Sequence, residues 1–385
     1  MSLINNKNST TFNNFFNSEK SSGILLIICT LLSLAITNSS YGISYLSFWQ
    51  INIVGVSIEH WVNDGLMAIF FLLIGLELER EFYVGELSDF KNALLPIIAA
   101  IGGLSLPAII HFYFNNSTST QAGVGIPMAT DIAFALGALA LLGSRIPTSL
   151  KVLLTAIAVM DDLGAIIVIA IFYTSKLSAL YLIAAIAVFS LLIILNRLRV
   201  MSLIPYIIGG TLIWFLMLKS GIHATIAGVL LAFAIPFTNK IDDIKSPSHQ
   251  LEHFLHKPVA FVILPIFAFV NTGVLIGADW FQSLFSNNSL GILLGLTLGK
   301  PIGITLVSLI ALSIGICRLP SDLNWKHIVG IGLLGGIGFT MSIFITNLAF
   351  VGEPNIINAS KMAILMASLI AGVVGFVWLK VTTRH

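Results

Sequence analysis

Long apolar runs with few charges follow one another from Ile24 to Leu379, most of them close to the ~20 residues that a helix needs to cross a hydrocarbon core roughly 30 Å thick. In hydrocarbon every backbone polar group must be satisfied internally, and a helix does this within one segment. The runs therefore predict an all-α membrane protein. They fall at about 22–38, 59–80, 92–114, 120–142, 150–173 and 177–196, then at about 203–218, 221–236, 256–275, 289–316, 326–350 and 357–380. That is a reading of about twelve transmembrane helices in one domain over residues 1–385, with the seventh and eighth short for the purpose. Composition agrees, because 57% of the chain is apolar and only 9% charged, against roughly 25% charged in soluble domains.

The basic residues orient the bundle. With the N-terminus inside, the inner segments hold fifteen of the nineteen Lys and Arg, the outer ones only Lys176, Lys219 and Lys361, and Lys300 falls within a span. A positive-inside bias of this size predicts cytoplasmic termini, including a polar N-terminal segment over 1–21. That segment lacks the layout of a cleavable signal peptide. A net charge of +2 with no basic run gives no support for nucleic acid as a partner. Cys29 and Cys317 form neither a metal spacing nor a disulfide framework. Outside, residues 39–58 mix β-branched and aromatic residues with Gly and Ser, which suits either a small β-hairpin or an irregular loop.

Two runs carry helix breakers at their middles. The fourth has Gly123, Gly125 and Pro127 just before Thr130 and Asp131, and the eleventh has Gly332, Gly335, Gly336 and Gly338. Broken backbone at membrane depth is tolerated where it is buried in protein or lines a cavity. Interruptions in corresponding parts of two halves point to inverted-topology repeats with two crossed discontinuous helices around a midplane site. Close packing through small residues is the other reading of the glycines.

Asp131, Asp161, Asp162 and Lys300 also lie near the middles of spans. Each costs roughly 2.5–3.5 kcal/mol at a helix centre on insertion scales, so such groups face water, pair or neutralise, and they mark functional sites. Asp161 and Asp162 point about 100° apart on a helix. Two adjacent buried carboxylates resist simultaneous ionisation, which suits groups that hold protons and release them to a cation. A hard cation such as sodium takes oxygen ligands, which carboxylates, Thr130 and freed carbonyls supply. Asp131 and Lys300 have a further possible role, balancing the partial charges of broken helix ends.

At these residues the sequence resembles the NhaA family of bacterial sodium/proton antiporters. The likeness runs from about Asn63 to the C-terminus, through NDGLMAIFFLLIGLELERE, ATDIAFALG, ALLGSRIP, MDDLGAI, KSGIHATIAG, LEHFLHKPVAF, LPIFAFVNTGV, GKPIGI and GIGFTMSIFI. That family is itself one of the cases behind the rule on inverted repeats and broken helices. The resemblance implies an electrogenic antiporter, not an enzyme and needing no cofactor. It would extrude cytoplasmic Na+ or Li+ for external H+ by alternating access across the bacterial inner membrane, with activation at alkaline pH. It implies that Asp161 and Asp162 bind the transported ion, that Lys300 pairs with Asp161, and that Thr130 and Asp131 sit where the broken helices cross. It assigns the pH response to Glu77, Arg80, Glu81, Glu252, His253 and His256, with His223 at a further matching position, and it implies a homodimer in membrane lipid. One departure stands out, Glu79 where the family commonly has lysine.

Other functions fit less well. Sodium-coupled symport of an organic solute wants more polar groups than the core offers. An intramembrane aspartyl protease wants an acid in its Gly-rich helix, where GGIGF has none. A prenyl transferase wants spaced aspartates for a metal diphosphate. A passive channel shares the same residues and is separated only by saturable two-way exchange.

Overall fold

Helix accounts for nearly all regular structure in the computed structural model, which describes residues 2–173, 177–238 and 246–383. Of the residues used to orient the chain, Lys176, Lys240, Lys245 and Arg384 lie outside the described residues. Among those described, nine helices are long and apolar enough to cross a membrane, or ten if Trp325–Gly335 and Phe339–Ala349, bent by 44°, count as one span. The expected seventh and eighth spans fall short of the count of twelve. Ile204–Ser220 has 17 residues and Ile226–Ala234 has nine, so at 1.5 Å per residue the second reaches only about 14 Å. The stop lies at Gly221, whose φ of 87° closes the first helix in a left-handed turn.

The N-terminal residues are not a separate element, since one helix runs from Ser2 to Thr37. Residues 39–58 hold a short helix, Gly42–Trp49, and a hairpin in which Asn52 pairs with Ser57 and Ile53 with Val56. Val54 and Gly55 make its turn, both with positive φ, as a two-residue hairpin of this hand requires.

The chain divides into two compact units. One comprises Met1–Ala35, Leu94–Asp161 and Val274–His385; the other comprises Ile36–Ala93 and Asp162–Gly273. In the first, the Phe90–Asn115 helix meets the Lys300–Ser313 helix through facing glycines, and a Cβ on Gly102 would lie 2.3 Å from the Gly303 carbonyl oxygen. Backbones approach this closely only where side chains are absent, the usual device for packing helices in lipid. In the second, Ile58–Tyr83 packs on Ile226–Ala234, where Gly75 and Gly228 face Ala232 and the Ala68 carbonyl. Trp214 Nε1 donates to the Asp64 carbonyl at 3.0 Å, tying Ile204–Ser220 to the same group.

Candidate functional site

The fourth apolar run is not one helix. Residues Gln121–Met128 form a tight 3-10 helix, the chain is extended through Ala129 and Asp131, and an α-helix resumes over Ile132–Ala140. The eleventh run breaks differently, as two α-helices that stop at Gly335 and resume at Phe339 across a bend of 44°. The two breaks meet: Asp131 N donates to the Ile337 carbonyl at 2.7 Å, and Ser342 Oγ donates to the Ile126 carbonyl at 2.7 Å.

Each break leaves amides without acceptors on one side and carbonyls without donors on the other. Asp131 serves the amides. Its Oδ1 accepts from Phe134 N at 2.9 Å, and its Oδ2 accepts from Thr340 N at 3.0 Å and from the Thr340 hydroxyl at 2.5 Å. One carboxylate thus caps the N-termini of both resumed helices, where the helix dipoles are positive. Lys300 and Thr130 serve the carbonyls. The Lys300 ammonium donates to the Met128 carbonyl, and the Thr130 hydroxyl donates to that of Gly335 at 2.9 Å.

Lys300 and Thr130 also converge on Asp161. Lys300 Nζ lies 2.9 Å from Asp161 Oδ2, and Thr130 Oγ1 lies 2.7 Å from the same oxygen. Thr130 has one hydroxyl proton for two acceptors, so it serves either Asp161 or Gly335 at any moment. Asp161 Oδ1 is buried and accepts no hydrogen bond among the described residues. Asp162 follows on the same helix and is likewise buried, at 1% exposure. Lys300 is placed by its own backbone: a π-helical turn over Gly295–Gly299 runs directly into it, a distortion often found at functional sites. There Gly299 permits close approach, since a Cβ would sit 3.0 Å from Pro107 Cα.

A second polar cluster belongs to the other unit. Arg80 Nε lies 3.3 Å from Glu252 Oε1, and Arg80 Nη2 lies 3.1 Å from Glu81 Oε1. His249 Nδ1 approaches Glu252 Oε2 at 3.5 Å, and buried Glu79 accepts from Ser248 Oγ at 3.0 Å. Glu77 is half-buried on the same helix, and His256 lies within electrostatic reach of Glu252, Arg80 and His253. His253 itself is exposed. His223 is placed apart from this cluster, with Nε2 against the Tyr173 carbonyl at 2.6 Å.

The sequence model of a family described as Na+/H+ antiporter 1 matches residues 13–379. The chain belongs to the Na+/H+ antiporter 1 family. A relative in Dechloromonas aromatica, named Na(+)/H(+) antiporter NhaA, is 70% identical over 374 residues, covering 97% of this chain and 96% of its own length. A protein of the same name in Flavobacterium psychrophilum is 59% identical over 374 residues, 97% of each chain. Another, in Mesorhizobium japonicum, is 48% identical over 371 residues, 95% of this chain and 93% of its own.

For this member of the Na+/H+ antiporter 1 family, the structure adds five residues whose part in these clusters sequence reasoning passed over. Thr340 was within reach: a threonine two residues past the Gly-rich break is placed to face the other break. Met128 and Gly335 contribute only carbonyls, which no residue type announces. His249 and Ser248 flank a motif already singled out, each one helical turn before His253 and Glu252 respectively.

Proposed function

We propose that this chain is a sodium/proton antiporter of the bacterial inner membrane, with Asp161 and Asp162 as the exchange site. The observation that carries the reading is Asp161, fully buried, held on Oδ2 by Lys300 and Thr130 where two broken spans meet, with Oδ1 accepting no hydrogen bond among the described residues. A buried carboxylate oxygen in that condition costs free energy until a proton or a cation joins it. Asp162, adjacent on the helix, supplies a second carboxylate. Proton and sodium therefore compete for one site, and repulsion between the carboxylates strengthens the competition.

Thr130 couples occupancy to backbone. With Asp161 ionised, its hydroxyl donates to Oδ2. With a proton or cation on Oδ1, Oδ2 becomes the weaker acceptor, and the hydroxyl turns its proton to the Gly335 carbonyl. Each ligand state thus favours a different hydrogen bond at the break, the kind of differential contact that alternating access requires. Lys300 and Asp131 stabilise the broken ends in both states. Lithium, another small hard cation, is accepted by the same oxygens. More protons than sodium ions cross per cycle, so transport is electrogenic, and alkaline pH activates it by leaving the pair ionised. The Arg80, Glu81, Glu252 and His249 cluster, with Glu77, His253, His256 and His223, tunes that response. Both termini face the cytoplasm and the protein works as a homodimer.

The test is exchange in proteoliposomes carrying a trapped pH dye. Added sodium should move protons with the wild-type chain at alkaline pH and not with Asp162→Asn or Asp161→Asn. A folded, inserted wild-type protein that moves no protons with sodium or lithium between about pH 6.5 and 9, the range bracketing histidine and perturbed carboxylate titration, would sink antiport.

A further inference from the structure

Four helices of the first unit border a groove of about 460 Å³, with Phe339 the contribution of the Phe339–Ala349 helix. Ile27 and Leu31 line it from the Ser2–Thr37 helix, Phe134 and Gly137 from the half-helix after Asp131, and Leu369 and Phe376 from the Pro354–Thr382 helix. The two hydroxyls in its wall are engaged: Thr30 donates to the Leu26 carbonyl at 2.8 Å, and Ser368 Oγ accepts from Phe339 N at 3.1 Å. A polar solute finds little to bond there, whereas hydrocarbon fits. A water molecule takes about 30 Å³ and a methylene is of similar size, so the groove holds on the order of fifteen methylenes, one acyl chain.

One end of the groove is basic. Lys20, exposed, lines it at the start of the first span. Lys380, also exposed, lies 5.8 Å from the ring of groove residue Phe376. Both belong to one membrane face. Ser342 bonds to Ile126, pairing the 3-10 helix with the Phe339–Ala349 helix, so the halves Ile132–Ala140 and Trp325–Gly335 share the opposite side of the break. Gly23, near Lys20, packs on Gly137 of the first half, with a Cβ-to-Cα approach of 3.6 Å. Trp378, near Lys380, donates from Nε1 to the carbonyl of Lys326, at the start of the second half, at 2.8 Å.

We propose that this groove binds one acyl chain of an anionic phospholipid from the surrounding bilayer, with its phosphate held between Lys20 and Lys380. The chain would lie against Phe134 and Phe339, whose rings are 4.8 Å apart and which flank the Asp131 cap. Lipid occupancy thereby braces the meeting point of the two breaks. The inference concerns binding and stands or falls separately from sodium exchange.

The experiment is native mass spectrometry of delipidated full-length protein titrated with phosphatidylglycerol, or with phosphatidylcholine of identical chains. The wild type should retain one phosphatidylglycerol in clear preference to phosphatidylcholine. Each surface lysine contributes about a factor of five to anionic lipid binding, so Lys20→Ala with Lys380→Ala should weaken retention roughly twenty-five-fold. Leu369→Trp, at a site 63% exposed and so safe for folding, should weaken it by filling the groove. Equal retention of the two lipids, or unchanged retention in both variants, overturns the proposal. So does efficient cross-linking between two copies through Leu31→Cys in a chain with Cys29 and Cys317 replaced by serine, because a second chain would then occupy the groove.

Discussion

Asp131→Asn tests how the breaks are held. The aspartate accepts three hydrogen bonds at the N-termini of two helices. Asparagine keeps its oxygen for Phe134 N, but its amide nitrogen then faces Thr340 N, donor against donor. The loss is one hydrogen bond to a charged acceptor, about 1.5–3 kcal/mol, together with about 0.3–1 kcal/mol of charge–dipole attraction at each of two helix ends. Relief of the cost of burying a carboxylate offsets part of this. The net destabilisation should be roughly 2–4 kcal/mol. Unfolding in mixed detergent micelles with added dodecyl sulfate, followed by tryptophan fluorescence, measures it. Thr340→Val, which removes only the hydroxyl, should cost about 2 kcal/mol in the wild type and far less in the Asp131→Asn background. If Asp131→Asn lies within about 0.5 kcal/mol of wild type, the level of an ordinary surface change, or if the two substitutions simply add, the shared cap does not hold the breaks together.

Lys300→Met strands Asp161 and the Met128 carbonyl, and breaking a buried pair in this way should cost about 3–5 kcal/mol in the same unfolding assay. The double variant Lys300→Met, Asp161→Asn should recover part of that stability while remaining inactive in proteoliposomes. Gly303→Ala brings a methyl to 2.2 Å from the Gly102 carbonyl oxygen; an overpacking loss of about 1–3 kcal/mol should appear as a lower thermal midpoint. Ser248→Ala removes the 3.0 Å hydrogen bond to the buried Glu79 carboxylate, and should destabilise by about 1–3 kcal/mol and move the pH profile of sodium-driven proton flux. An unchanged midpoint and profile would rule out coupling through Glu79.

Much of this protein is legible in one dimension because the bilayer imposes a simple rule. Apolar runs must be helices of a set length, and charges within them must be exceptional. Membrane character, the approximate place of most long helices and the cost of burying Asp131, Asp161, Asp162 and Lys300 follow from that rule. So do the two broken spans, since Pro127 and the Gly332–Gly338 cluster weaken helix wherever they sit. The eighth helix was harder, because hydropathy from Gly221 to Ile235 does not announce that its helix covers only Ile226–Ala234. The setting of His223 was not legible either: its ring meets the Tyr173 carbonyl, a partner 50 residues away that no residue type announces.

What the sequence determined by itself was which groups are costly to bury. Only tertiary structure decided how each cost is met, because the partners lie far away along the chain. Asp131 meets Thr340 across 209 positions, Thr130 meets Gly335 across 205, and Lys300 meets the Met128 carbonyl across 172. Two of those three partners are backbone carbonyls, present at every residue and freed only where a helix stops. A carbonyl becomes a ligand through the geometry of its neighbours, and that geometry exists once the two breaks have been brought together.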